Sequence, residues 1–454
     1  MTGFLRTLLL SAAMVIVPAG GALAETLNEA LASAYSGNPS IRAERARQRA
    51  TDEKVPQALS GWRPRVTAEA ELSHNWTFTD TPGNDQTRES DDLDLVIGLS
   101  QPLFRGFKTV EGTKQAESTV EAGRYNLLAV EQDILFDAVQ AYMNVIRDRQ
   151  IVSLRQQNIT VLREQLRAAT ELFNAGQTTR TDTAQARARL SQSEAEHASS
   201  RANLAASVAN YENIVGHAPG SLKYPKIARL PKTLEAAFAI AAETNPTVLA
   251  AAFVEDASIH QVEVIRGDLL PELSLEARAT LHDDLGRDLG NSHSATIAGV
   301  LTVPIYEAGL VYSSVREAKQ IASQRGIEVI ELGRAVREAV ASSWNFYVAL
   351  GQTITAARAQ VSAQQLALEG VREEYQAGSR TTLDVLDAQR EVVNARITLV
   401  QAERDRVVAA YQLLAATGQL TPQHLGLGVA VYDVEENYLR VRNKWIGTGV
   451  ETVE

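Results

Sequence analysis

The chain has 454 residues, 45% hydrophobic and 22% charged, with a formal net charge of −11. That hydrophobicity is too high for a disordered chain. The acid excess is wrong for a nucleic-acid binder, which needs lysine and arginine to neutralise phosphates. There is no cysteine, which excludes disulfides, thiolate metal sites, a cysteine nucleophile and a cysteine-anchored lipoprotein. The seven histidines form neither an HExxH nor an HxH pair, so no metal site and no cofactor is expected.

Residues 1–24 read as a secretory signal. Arg6 supplies the positive start, and Leu8–Val17 is a short apolar run. About ten residues cannot span a bilayer, and Ala22-Leu23-Ala24 fits the small-x-small cleavage rule. No other stretch offers ~18 uninterrupted apolar residues. The mature chain, from Glu25, is therefore expected to be exported, and to enter a membrane only by β-strands.

The rest of the chain is a duplication. Thr26-Leu27, Asn38-Pro39 and Pro64 recur as Thr233-Leu234, Asn245-Pro246 and Pro271, at an offset of 207. Farther on the offset is 202: Pro102-Leu103-Phe104 matches Pro304-Ile305-Tyr306, Asp182 matches Asp384, and Gly216 matches Gly418. The copies span 25–217 and 233–418. A connector, 218–232, carries Pro219, Pro225 and Pro231, and a tail follows at 419–454.

Within each copy the elements follow one order. Asn38 before Pro39 predicts the start of a helix that runs to about Leu59, with a kink at Pro56. Two strands follow, about 65–78 and 92–103, where Val66, Ala68, Ala70 and Leu72 alternate with Thr67, Glu69, Glu71 and Ser73. Copy two repeats them at about 272–282 and 294–304. Each is long enough to cross a bilayer when tilted, with one apolar and one polar face. Trp62, Trp76, Phe104 and Tyr306 lie near strand ends, and 80–92 and 282–294 read as polar loops. A soluble half-buried hairpin would alternate in the same way.

Proline is absent from 107–175, and Gly176 is a natural stop. That predicts a helix of ~100 Å, matched at 309–377. Residues 138, 145, 152, 159, 166 and 173, with their counterparts 340, 347, 354, 361, 368 and 375, are all apolar or aromatic. A sustained period of seven predicts coiled-coil packing. A second helix follows from Asp182 to about Val215. Four strands cannot close a usable barrel, for which about eight are needed. Two chains would supply eight and three would supply twelve.

These residues resemble the TolC family of outer-membrane exit ducts. The resemblance runs from about Glu25 to Gly418. It is carried by the duplicated Asn-Pro, by Gln101-Pro102-Leu103-Phe104 with Val303-Pro304-Ile305-Tyr306, and above all by the run from Tyr375 to Ala388. It implies a mostly α fold with β: a homotrimer with a 12-stranded transmembrane β-barrel, four strands per chain. A long coiled-coil α-helical barrel and an equatorial mixed belt would continue it, with the tail near the belt. It also implies a passive channel in the outer membrane, among its lipid, and reaching into the periplasm. The implied partners are a periplasmic adaptor and an inner-membrane efflux or ABC-type transporter, for drug efflux, type I protein secretion or both.

The helix tips carry the candidate site. Thr179-x-x-Asp182 and Thr381-x-x-Asp384 match a capping pattern. Capping explains an acid at 182 and 384 but not Asp387, whose counterpart is Gln185. Asp384 and Asp387 share a helix face. In a trimer they would bring six carboxylates to one constriction, which repels anions and concentrates cations. The resemblance implies that Asp384 and Asp387 form an acidic ring at the entrance. It implies gate contacts from Tyr375 to Asp182 and from Arg380 to Thr181. It makes Ala175, Gly176 and Gln177, with Ala377, Gly378 and Ser379, the surface that meets the adaptor. Tyr375 is also a heptad position, so a plain core role stays open. Asp384 and Asp387 as a general acid–base pair lack a partner group, and there is no Walker A sequence, so no enzyme activity is expected. The other reading is a periplasmic coiled-coil scaffold or adaptor without a pore.

Overall fold

The two copies build the same elements, in a computed structural model that describes residues 24–80, 82–83, 86–285 and 291–450. The expected signal segment lies outside the described residues, except for Ala24. So do parts of both hairpin loops.

Copy one runs α1 (Leu27–Gly37), α2 (Pro39–Asp52), α3 (Lys54–Leu59), β1 (Arg65–Thr79), β2 (Gln86–Arg105), α4 (Lys108–Asn174) and α5 (Arg180–Val215). Copy two runs α6 (Leu234–Thr244), α7 (Pro246–Arg266), β3 (Glu272–Asp284), β4 (Ser292–Thr302), α8 (Leu310–Gln376) and α9 (Thr382–Ala416). The tail adds α10 (Pro422–Leu425) and α11 (Val434–Arg442).

The repeated Asn-Pro has two tasks. Asn38 Oδ1 accepts from Ser40 N at 2.9 Å, capping α2, while Nδ2 donates to Ile214 O in the last turn of α5 at 3.0 Å. Asn245 Oδ1 accepts from Thr247 N and Val248 N, and Nδ2 donates to Ala416 O at the end of α9 at 3.0 Å. One side chain therefore starts one helix and satisfies a terminal carbonyl of another.

The expected kink falls at Glu53, between α2 and α3, rather than at Pro56 itself. Proline lacks the N–H that would bond the carbonyl of residue 52, so the break appears one turn upstream. The counterpart of Pro56 is Glu263, and α7 runs unbroken. The stretch 234–269 is long and apolar enough to cross a membrane. It is split at Asn245-Pro246, and Ala237 and Ala241 are buried against Val340 and Leu413, so it belongs to the helical layer.

The sheet is antiparallel in the order β1-β2-β3-β4, and β1 and β4 are its edges. β2 starts at Gln86, six residues before the expected start at 92, because 86–91 pair with 74–79 of β1. The loop expected at 80–92 is correspondingly shorter. A bulge lies between Pro102 and Phe104 where β2 pairs β3. The register puts Val66, Leu99, Ala277 and Ile297 in one row, and Thr67, Gly98, Arg278 and Thr296 in the next.

The main core lies at mid-height. Leu31, Tyr35 and Ile41 pack with Leu135, Tyr142, Tyr211 and Leu414, all fully buried. Arg45 pairs with Glu131 at 3.3 Å beside it. Burial pushes the Glu131 and Asp52 carboxyls up. The tail closes this belt: Asn437 Nδ2 donates to Asp52 Oδ2 at 2.7 Å, and Arg442 pairs with Glu117 at 2.9 Å.

Candidate functional site: the helix tips and the barrel sheet

Each long helix ends in the same way. Gly176 (φ 74°) follows α4 and Gly378 (φ 80°) follows α8. Only such a left-handed residue lets the next amide turn back onto the helix. Gln177 N donates to Leu172 O, and Ser379 N to Glu374 O, each at 2.9 Å. Ala175, Gly176, Gln177, Ala377, Gly378 and Ser379 form the two exposed turns.

The next helix is then started by a reciprocal box. Thr179 N and Oγ1 both donate to Asp182 Oδ2, at 3.0 and 2.7 Å, and Asp182 N donates back to Thr179 Oγ1 at 3.3 Å. Thr381 and Asp384 repeat this at 2.9, 2.8 and 3.3 Å. Bonds from the Thr179 hydroxyl and amide hold the Asp182 carboxyl below its ordinary value. Bonds from the Thr381 amide and hydroxyl do the same for Asp384. Both acids are helix caps, with Oδ2 taking both donors.

Asp387 is different. Arg189 of α5 donates to its carboxylate at 2.7 Å, with Arg390 more distant at 3.9 Å. Arg189 was not singled out by the sequence reading. A signal existed in the duplication: the counterpart of Arg189 is Glu391 and that of Asp387 is Gln185. The copies diverge at two positions that face each other with opposite charge.

A buried polar seam lies behind the pair. Asn158 of α4 donates to Ser193 of α5 at 3.0 Å and accepts from Gln389 of α9 at 3.5 Å. Gln389 in turn accepts from Arg372 of α8 at 3.0 Å. Leu386 is buried with Leu162, Ala169 and Ala186. All four long helices thus meet within the first turns of α9.

Within one chain the remaining gate candidates have other partners. Tyr375 Oη accepts from Thr382 Oγ1 at 3.4 Å. Arg380 Nε donates to Glu374 at 2.7 Å. Thr181 is exposed. Tyr375–Asp182 and Arg380–Thr181 contacts are not formed inside the single chain.

At the other end the sheet presents two unlike faces. Leu72, Phe78 and Ile297 stand 72%, 79% and 78% exposed on the same side. A soluble monomer rarely shows so continuous an apolar surface. The opposite side carries Glu69, Glu71, Asp94 and Glu276. No group of three or more metal-ligating side chains occurs among the described residues.

Comparison with known proteins points the same way. The family model described as "Outer membrane efflux protein" matches residues 30–217 and 239–419. The outer membrane efflux protein BepC of Brucella suis is 40% identical over 428 residues, covering 94% of this chain and 92% of that protein. TolC of Escherichia coli is 26% identical over 424 residues, covering 88% and 84%. The alkaline protease secretion protein AprF of Pseudomonas aeruginosa is 24% identical over 396 residues, covering 84% and 82%. The crystal structure of the Campylobacter jejuni CmeC outer membrane channel superposes with a TM-score of 0.78 at 17% identity, over 92% of this chain and 89% of that one. At that identity it speaks for the fold.

Proposed function

The chain belongs to the outer membrane efflux protein family, and from that premise we propose that three copies form a passive exit duct through the outer membrane and periplasm. The observation that carries the proposal is the sheet. Four strands with one apolar face, one charged face and two free edges cannot close alone. Joining β4 of one copy to β1 of the next would give twelve strands, an apolar outside and a polar lumen. Edges left unpaired in lipid would be prohibitively costly. The long helices beneath would extend the lumen by ~100 Å. The scaffold reading has no use for such a sheet.

An exported precursor that loses residues 1–24 fits this route. Transport energy would come from an inner-membrane transporter, reached through an adaptor that docks on the exposed turns after Gly176 and Gly378. The relatives' names speak of efflux and of protease secretion, so drugs, secreted proteins or both are the candidate cargo.

At the tips, three copies would gather Asp384 and Asp387 at one level. Asp384 is a fixed charge within its cap, and Arg189 offsets Asp387. Asp182 keeps Oδ1 for a further donor, so Tyr375 can reach it when the coils tighten on assembly. Arg380 can then exchange Glu374 for Thr181 of a neighbouring coil. Chemical cross-linking in intact membranes tests the assembly. The expected ladder stops at three chains, and extraction requires detergent. A ladder that stops at two, or release by osmotic shock, contradicts it.

A further inference from the structure

Beyond α11 the tail climbs to the foot of the sheet and turns back. Asn437 and Arg442 fix α11 to Asp52 and Glu117, as above. Arg63, two residues before β1, then donates to Lys444 O at 2.9 Å. Its guanidinium lies 4.9 Å from the Trp445 ring centre, over the ring face. Gly447, at φ 107°, reverses the chain. Lys444 Nζ closes the turn on Gly449 O at 2.8 Å.

The apex of this turn is Trp445-Ile446, held firmly and left uncovered. Trp445 is 65% exposed and Ile446 90%. The apex is joined through Arg63 to the level where the apolar face of the sheet begins, at Val66. An indole suits the boundary between headgroups and acyl chains, and an isoleucine suits the layer beneath. Lys444 and Arg63, bonded to backbone carbonyls, keep two positive charges beside the apex, which suits an anionic headgroup layer.

We propose that residues 444–449 form a membrane foot, in which Trp445 and Ile446 enter the periplasmic leaflet of the outer membrane beside anionic phospholipid headgroups. The proposal rests on the barrel reading above. Lipid is the occupant because Arg63 ties the apex to the level at which the apolar belt of the sheet begins.

The test uses the full chain in vesicles of phosphatidylethanolamine and phosphatidylglycerol, with and without lipid brominated near the headgroup end of its acyl chains. The chain has four tryptophans. Subtracting the emission of Trp445→Phe, which keeps a ring over Arg63, isolates Trp445. Subtracting that of Trp76→Phe isolates a residue on the barrel wall. Brominated lipid should quench both, as expected of indoles at the membrane interface. Quenching of Trp76 but not of Trp445 overturns the foot and leaves the duct standing. A blue-shifted but unquenched Trp445 places a second copy there and also overturns it. If neither is quenched, the barrel reading fails and the foot falls with it. The chain has no cysteine, so Ile446→Cys gives an independent reading. A nitroxide there should be relaxed more by oxygen than by a water-soluble nickel chelate, and the reverse order contradicts the foot.

Discussion

Asn38 and Asn245 each serve two helices, so removing either side chain does more than delete a cap. Loss of the cap costs about 1 kcal/mol, and the stranded terminal carbonyl adds a comparable amount. Asn38→Ala and Asn245→Ala are each expected to destabilise by ~2 kcal/mol, read as a lowered denaturation midpoint of the assembled protein. A change within the error of the midpoint would show that the clamp contributes nothing. The caps at the tips respond to pH instead. Asp182 and Asp384 titrate below an ordinary aspartate in the folded chain. Their stabilisation is therefore complete above the unfolded value of about 3.9 and is lost as pH falls through the lowered folded one. Protease cleavage at the tips should rise as pH falls below the unfolded value of about 3.9, and Thr179→Ala/Thr381→Ala should show it already at neutral pH. An acid-insensitive tip would contradict the capping role. The capping acids were legible because spacing alone carries them. The Arg189–Asp387 pair was not, because its members are 198 residues apart and meet only once two coils pack.

Among the elements, the long helices are the most legible. Each ends within two residues of its glycine because no proline interrupts them and a left-handed residue stops them. The strands are half legible. The apolar alternation marks the part that faces lipid, whereas Gln86–Asp91 has none and is strand only because β1 pairs with it. The same alternation yields a sharp contrast. Ile97→Arg puts a charge on the apolar face, at a cost of ~2–4 kcal/mol per chain near the bilayer midplane. It should sharply reduce the cross-linked trimer recovered in the outer-membrane fraction. Thr67→Arg, on the polar face, should leave that yield unchanged. Equal effects would mean that the two faces do not see lipid and water respectively.

For the whole molecule, the duplication explains most of the architecture. Two copies give two hairpins and two coils, and a sheet that cannot close by itself makes the assembly part of the fold. The tail lies outside the duplication, so neither periodicity nor matching predicts where Trp445 goes. In the proposed duct the two coils would act jointly, since Arg189 of one pairs with Asp387 of the other. The most direct measurement is single-channel conductance in a planar bilayer. Wild-type protein should give small cation-selective pores. Asp384→Ala/Asp387→Ala should weaken that preference, and Arg189→Ala should strengthen it by uncovering Asp387. The absence of any pore from correctly folded protein would contradict the duct.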